Sequence, residues 1–192
     1  MFLNNNPEYA LINGKKVKIN TDFRVALKCQ AIAMDAEISD YERALAIIYK
    51  LFGDEALKDD DHLEEYLKMA LKFLQFGQED NSNGDDVGEP TFDFEQDWGY
   101  VKASFMSDYK MDLDKEKIHW WTFYDLLSGL TDNTILNRVR QIREEPLSGK
   151  KGKELDRWIK AKKAVELKHK KTAKEIELDK YWEKIIKKGS DS

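Results

Sequence analysis

The sequence is poor in cysteine and histidine, and these shortages exclude several classes of protein. Its single cysteine, Cys29, cannot form an internal disulfide, so we expect a reducing compartment and a small buried side chain at this position. None of the three histidines, His62, His119 and His169, has a second histidine or a cysteine at metal-ligand spacing. The sequence therefore predicts no disulfide and no metal site.

Motifs that carry catalysis are also lacking. The chain has neither a glycine-rich phosphate loop nor a Gly-x-Ser-x-Gly elbow. Asp93 and Asp97 share a helix face, and Asp112 and Asp114 share a turn, but acidic residues are so abundant that such pairs arise by chance. We therefore predict a protein that is not an enzyme and has no catalytic or cofactor-binding residues.

Long apolar runs are missing as well. No segment has the length of a membrane span, and the N-terminus has neither the basic nor the apolar region of a secretion signal. These absences predict a soluble protein of the cytoplasm without a membrane partner.

Charge is abundant but unevenly distributed. The chain of 192 residues has 32 Lys plus Arg against 37 Asp plus Glu, a net charge of −5 that argues against a nucleic-acid partner. Residues 1–149 contain 17 basic and 29 acidic side chains, whereas residues 150–192 contain 15 and 8. A hydrophobic content of 41% is sufficient for a core, so we expect a folded body followed by a basic extension.

Residues 92–129 contain many of the bulky aromatic side chains. A helical stripe of apolar residues and a second stripe after the Asp112–Asp114 turn predict a helical hairpin with Trp98 and Trp121 in the core. The first stripe consists of Phe94, Trp98, Val101, Phe105 and Tyr109, and the second of Ile118, Trp121 and Leu126. We expect His119 to donate a hydrogen bond at the edge of this core.

The N-terminal part begins with the signal for a β-hairpin. Asn13-Gly14 stands between apolar runs and predicts a two-residue turn, whose strands must pack on a helix. Thr21 or Asp22 can cap a first helix that should end near Glu37. Its predicted inner face consists of Phe23, Ala26, Leu27, Ala31 and Met34.

Two further helices follow before residue 77. Ser39 to Glu42 matches a capping box, and Gly53 should end the helix that it starts. A third helix should run from about Asp61 to Phe76. Its predicted inner face is Leu63, Tyr66, Leu67, Ala70, Leu71, Phe73 and Leu74.

Residues 78–91 form an acidic stretch rich in turn-forming residues. It resembles a calcium loop, but with Gly84 as the glycine of that motif the final ligand position falls on Pro90, which has no side-chain oxygen. The stretch therefore predicts a solvated loop between residues 1–77 and residues 92–146, which we expect to form one domain.

Residues 131–192 contain one more helix of the body and the basic extension. Thr131 to Thr134 supplies a cap, Ile135, Val139 and Ile142 form a modest stripe, and Pro146 ends the helix. Arg138, Arg140 and Arg143 do not share one face, so we expect them on a solvated surface. Residues 147–192 predict a lysine-rich helix from Lys153 to Lys188. Such a helix can project from the body, become ordered only on a partner, or dock back through Trp158 and Trp182.

Several segments resemble a small family of tailed phages of Gram-positive bacteria, the phage gene-product-fifteen type. They are Ile19 to Arg24, Phe73 to Gly77, Phe92-Asp-Phe-Glu-Gln-Asp97, Ser104 to Leu113 and His119-Trp-Trp-Thr-Phe123. The resemblance covers about residues 9–145. Residues 150–192 look like an extension beyond the usual family length. Members are encoded in the tail module, between the major tail protein and the tape measure protein.

The resemblance implies a tail assembly chaperone or a related accessory protein. Such a protein binds the tape measure protein, recruits subunits of the major tail protein and is absent from the finished particle. A mainly α-helical body with an N-terminal β-hairpin suits this role, because an amphipathic helix of a partner can lie in an apolar groove. We predict partner contacts at Tyr100, Trp120, Tyr124, Trp158 and Trp182.

Two other functions remain open from the sequence. A phage or prophage protein that acts on a host partner would use the lysine-rich helix as its effector. A nucleic-acid-binding module would use the same helix to contact phosphates. Self-association is also possible through the basic extension and the acidic body of a neighbouring copy.

Overall fold

The computed structural model describes residues 6–77 and 91–168. Within these ranges the protein is mainly helical with a small N-terminal β-hairpin, as predicted. None of the described helices combines the length and the apolar composition needed to cross a membrane. The strands and helices are β1 Tyr9–Ile12, β2 Lys15–Lys18, α1 Phe23–Met34, α2 Asp40–Phe52, α3 Asp54–Leu57, α4 Leu63–Leu74, α5 Trp98–Tyr109, α6 Trp120–Ser128, α7 Ile135–Glu144 and α8 Gly152–Ala164.

The hairpin forms where the Asn13-Gly14 pair predicts it. Both turn residues have positive φ, 46° at Asn13 and 70° at Gly14, and the two strands pair antiparallel. Ala10 and Ile12 are buried, and β1 packs on α4. The hairpin is therefore stabilised by a helix, as expected for a two-stranded ribbon.

The predicted helix starts are confirmed by their caps. The Asp22 side chain accepts a hydrogen bond from the Arg24 amide and begins α1, and Ser39 and Glu42 form the capping box of α2. Gly53, with a φ of 82°, ends α2. The predicted third helix, Asp61 to Phe76, begins as a 3₁₀ turn at Asp60–His62 and continues as α4, which ends at Leu74. Asp54–Leu57 adds a short helix that the sequence pattern did not indicate.

Some predicted inner faces are wrong at their edges. Ala31 is exposed because it lies about 140° around α1 from the buried Ala26. Met34, the last residue of α1, is 85% exposed, and Leu71 lies at the edge of the buried face of α4. In α7, Leu136 takes the core position predicted for Ile135, which is 43% exposed.

The core centres on stacked rings from three helices. Phe123 of α6 lies between Phe23 of α1 and Phe105 of α5, with ring centroids 4.4 and 5.3 Å away. All three side chains are fully buried, as is the single cysteine, Cys29. Burial raises the pKa of the Cys29 thiol to about 12, which suits the predicted role of a small core residue.

The two aromatic helices exist, but the predicted hairpin describes their packing only in part. Phe105 and Phe123 join α5 to α6, and the Tyr109 hydroxyl donates a hydrogen bond to the Leu126 carbonyl at 2.9 Å. The more extensive backbone contacts, however, are those of α5 with α7 and of α6 with α1. Each helix of the pair therefore lies against a different neighbour.

The predicted helix from Lys153 to Lys188 does not run unbroken through the described residues. Helix α8 ends at Ala164, and residues 165–168 are not helical. Contacts with the body account for this end, because side chains from α7 and from the turn before α5 bind the backbone of Val165 and Lys168. The rest of the predicted helix lies outside the described residues, as does the predicted acidic loop apart from Thr91.

Candidate partner-binding surface

The segment from Ile118 to Trp120 fixes α6 against the start of α1. The Phe23 amide donates to the Ile118 carbonyl at 3.1 Å, and the Trp120 amide donates to the Thr21 carbonyl at 2.8 Å. These two bonds form a short antiparallel bridge. The aromatic residues that follow therefore start from a fixed position.

His119 caps α6 and has the edge position predicted for it. Its Nδ1 atom accepts a hydrogen bond from the Trp121 amide at 3.1 Å, and its Nε2 atom lies 3.0 Å from the Pro7 carbonyl. An atom that accepts from an amide has no proton, so Nε2 must be the donor to Pro7. The neutral imidazole thus connects α6 to the chain before β1.

The two neighbouring tryptophans attach α6 to the end of α4. The Trp120 indole donates to the Leu74 carbonyl at 3.2 Å, and the Trp121 indole donates to the Phe73 carbonyl at 2.9 Å. Carbonyls in the last turn of a helix lack the usual helical partners. The Trp120 indole supplies a partner for the Leu74 carbonyl, and the Trp121 indole adds a second donor to the Phe73 carbonyl, which also accepts from the Phe76 amide at 3.3 Å. The His-Trp-Trp segment is therefore a structural anchor.

The prediction that Trp120 contacts a partner is wrong, because its side chain is fully buried. Trp121, which the sequence placed in the core, is only half-buried. The reason is that the helix starts at Trp120 and does not continue from Ile118. Its inner face is consequently set by Trp120 and Phe123, which are three residues apart.

A small aromatic face remains accessible beside this anchor. It consists of Phe76, Trp121 and Tyr124, and Tyr124 is 42% exposed. The centroids of the Phe76 and Tyr124 rings are 4.2 Å apart. Phe76 reaches this position through a left-handed turn, with φ of 59° at Phe76 and 77° at Gly77.

The other predicted contact residues do not join this face. Tyr100 is half-buried on α5, where it packs against the core. Trp158 is half-buried on α8, and the Lys150 ammonium lies 4.7 Å from the centroid of its ring. Trp182 lies outside the described residues. Of the four predicted residues that the structure describes, it brings Trp120 and Tyr124 together, with ring centroids 6.1 Å apart.

A buried ion pair that sequence reasoning missed connects α5 and α7. Arg143 contacts both carboxylate oxygens of Asp97, at 2.6 and 2.8 Å, and the two side chains are 10% and 1% exposed. The prediction of a solvated Arg143 is therefore wrong. No local signal could have found the pair, because its partners are 46 residues apart and meet only in the folded chain.

The same arginine holds the C-terminal part of the described chain. Arg143 also donates to the carbonyls of Thr91, at 2.9 Å, and Val165, at 2.6 Å. Gln96 and the backbone of Lys168 exchange two hydrogen bonds of 3.1 and 2.7 Å. Helix α8 thus docks back on the body, and we call this arrangement of Asp97, Arg143, Gln96 and their backbone partners the polar clamp.

The described residues contain no group of three side chains that could hold a metal ion. One half-buried histidine, His62, has a pKa shifted by a neighbouring carboxylate. The His62 Nδ1 atom lies 2.6 Å from the Asp59 carboxylate, and this hydrogen bond raises the pKa of His62. Both residues lie in the short segment before α4, away from the aromatic face.

Comparison with protein families places the chain. Residues 6–167 match the family described as Bacteriophage Gp15 protein. The chain belongs to this family. Searches of curated proteins and of solved structures each found no match. Membership in the Gp15 family indicates a bacteriophage protein of the structural or assembly kind.

The range of the Gp15 match also corrects the sequence analysis. The resemblance was expected to cover about residues 9–145, with an extension beyond the family from residue 150. The match includes α8 and the residues up to 167, so α8 belongs to the family's own region. The polar clamp, which docks α8 on the body, lies almost entirely within that region.

Proposed function

We propose that this Gp15-family protein is a non-catalytic tail-assembly protein that binds the tape measure protein, subunits of the major tail protein, or both. In this proposal it acts in the host cytoplasm and is absent from the finished virion. The observation that carries the proposal is an accessible aromatic face, Phe76, Trp121 and Tyr124, seated on a rigid core in a chain of a phage family.

The firm attachment of this aromatic face to the core supports a role in binding. Hydrogen bonds from both indoles fix Trp120 and Trp121 to the end of α4, so the rings beside them lose little freedom when a partner arrives. A surface that is already ordered binds with a smaller entropic cost than one that must order on contact. Aromatic side chains also give large contact area with few rotatable bonds.

The aromatic face suits a partner segment that is an amphipathic helix. A tape measure protein is long and helical, and its apolar side chains need cover until a tail tube surrounds it. An amphipathic helix can place such side chains against exposed rings at intervals of three or four residues. Tyr124 is the most exposed of the three residues, and its hydroxyl can in addition contact a polar group of the partner.

Co-expression with the tape measure protein of the same phage tests the proposal. We expect the wild-type protein to increase the soluble fraction of the tape measure protein and to co-purify with it, and we expect Tyr124→Ala to weaken both effects. Tyr41→Ala is the matched control, because Tyr41 is 68% exposed on α2 and makes no ring contact within the described chain. The proposal would be overturned if the solubility of the tape measure protein stayed unchanged and neither it nor a co-expressed major tail protein co-purified with the wild-type protein.

A further inference from the structure

A second surface lies on the other side of the His119 to Trp121 segment. It is an open cleft of about 850 Å³ between the chain after β2, the first turns of α1, the end of α2 and the residues before α6. Clefts of this size bind small molecules or short stretches of a polypeptide. The aromatic face does not line it.

The floor of the cleft is fixed by backbone hydrogen bonds. The Asn20 amide donates to the Leu51 carbonyl at 2.8 Å, and the bridge between Asp22 and His119 holds the opposite wall. Ile19 and Leu51 are buried beneath it. The walls therefore belong to the folded core and keep their shape without a ligand.

Four lysines surround the cleft, and we call it the lysine cleft. They come from four different parts of the fold and are Lys18, Lys28, Lys50 and Lys117. None of the four forms a salt bridge within residues 6–77 and 91–168, whereas Lys58, Lys102 and Lys115 each pair with a carboxylate at 2.6 to 2.9 Å. The cleft thus concentrates positive charge that the chain itself does not neutralise.

The positive charge of the lysine cleft contrasts with the acidic character of the whole chain. The whole chain has a net charge of −5, and the two carboxylates that line the cleft do not balance four lysines. One of them, Asp22, is already engaged with the Arg24 guanidinium at 3.0 Å and with the Arg24 amide. A local positive site on an acidic protein attracts acidic partners and repels basic ones.

Apolar side chains lie between the lysines. Tyr49 is 46% exposed, and Val25 and Phe52 are half-buried. A ligand of charge alone would leave these side chains uncovered. We propose that the lysine cleft binds an acidic amphipathic segment of a partner polypeptide, whose carboxylates meet the lysines and whose apolar side chain covers Tyr49.

Nucleic acid fits the cleft less well. The cleft lacks the unengaged arginine that bidentate phosphate recognition favours, because the Arg24 guanidinium near it donates to the Leu113 and Glu116 carbonyls at 2.5 and 2.8 Å. Asp54 also lines the cleft and would repel a continuous phosphate backbone. Separate carboxylates on a peptide can avoid Asp54, whereas evenly spaced phosphates cannot.

The inference rests on the proposed function only in taking a polypeptide as the partner. The test uses a fluorescent helical peptide of about 18 residues, roughly five turns, with glutamates on one face and leucines on the other. A second peptide has lysine in place of each glutamate, and oligothymidylate of similar length represents nucleic acid. Binding is measured by fluorescence anisotropy with the full-length protein.

We expect the acidic peptide to bind and Lys50→Glu/Lys117→Glu to weaken this binding at least 10-fold. Lys50→Arg/Lys117→Arg should bind like the wild type. The matched control is Lys68→Glu/Lys72→Glu, which makes the same charge change at exposed positions of α4 outside the cleft and should keep the affinity within about twofold. Thermal unfolding of each variant shows that the fold is intact.

Four outcomes would overturn the inference. They are no binding of the acidic peptide, equal losses in the cleft and control variants, equal binding of the lysine peptide, and tighter binding of oligothymidylate than of the acidic peptide. None of them bears on Tyr124 or on the solubility of the tape measure protein, so the two proposals fail separately.

Discussion

Helices α6 and α8 are attached to the body by different means. Helix α6 contributes Trp120 and Phe123 to the core, both fully buried, and hydrogen bonds from the Trp120 and Trp121 indoles to the end of α4 add to this burial. Helix α8 has no buried residue, and its described contacts with the body are mainly ionic or polar. One helix is therefore part of the core, and the other is fastened to its surface.

This difference determines how each region responds to change. Apolar burial depends little on salt or pH, so the aromatic core should unfold only with the whole protein. The contacts that fasten α8 are a few hydrogen bonds, among them Arg143 to the Val165 carbonyl and Lys162 to the Arg143 carbonyl, and each can be broken singly. We therefore expect α8 to detach while the body stays folded.

The largest expected effect comes from opening the aromatic core. Trp120→Ala removes a fully buried ring and its hydrogen bond to the Leu74 carbonyl, so it should lower the free energy of unfolding by about 4 kcal/mol. Chemical denaturation measures this loss, and faster labelling of the Cys29 thiol reports it independently. Trp158→Ala on α8 should cost less than about 1.5 kcal/mol, because that ring is only half-buried. If Trp120→Ala and Trp158→Ala lowered the free energy of unfolding equally, α6 and α8 would not differ in how they are attached.

The next effect concerns the polar clamp. Asp97→Ala leaves the Arg143 guanidinium buried without its carboxylate, which should cost about 3 kcal/mol, less than a wholly unpaired charge because two carbonyls still accept from it. Limited proteolysis should then cut near residue 165 while the body resists. Lys102→Ala, which breaks the exposed pair with Asp114, should change stability by less than about 1 kcal/mol. If the protease cut within α6 as readily as within α8, the claim that α8 detaches while the body stays folded would be wrong.

The smallest effect is a pH dependence outside both regions. The hydrogen bond from His62 to Asp59 raises the pKa of His62 in the folded state above its unfolded value. The pair therefore stabilises the protein fully below the unfolded pKa, and this contribution is lost as the pH rises through the folded pKa. Asp59→Asn should lower the midpoint of the His62 titration seen by NMR, and an unchanged midpoint would show that Asp59 does not cause the shift.

Local signals predict the elements of this fold well. The Asn13-Gly14 turn and the caps at Asp22, Ser39 and Thr134 depend on neighbours within a few residues, so a single sequence contains all that is needed to place them. The burial of Cys29 follows similarly from an apolar stripe. These features need no information on how the helices pack.

The surfaces could not be predicted in the same way. Which of Trp120 and Trp121 is buried depends on where α6 starts, and that start is fixed by the bridge to Thr21 almost a hundred residues earlier in the chain. Arg143 is nearly buried because it pairs with Asp97, which comes from a distant part of the chain, and a local sequence pattern does not reveal that partner. The lysine cleft likewise gathers side chains from four separate segments. Tyr124 is exposed, whereas Trp120, predicted with it as a contact residue of the same helix, is buried, so the sequence pattern alone did not separate the two.

Crosslinking at the aromatic face tests the central claim most directly. A photoreactive amino acid would replace Tyr124, or Tyr41 as the control, in cells that also produce the tape measure protein and the major tail protein. We predict a crosslinked product with one of these tail proteins from position 124 and little or none from position 41. A position 124 that yields no such product, or no more than position 41, would contradict the claim that this face binds a tail protein.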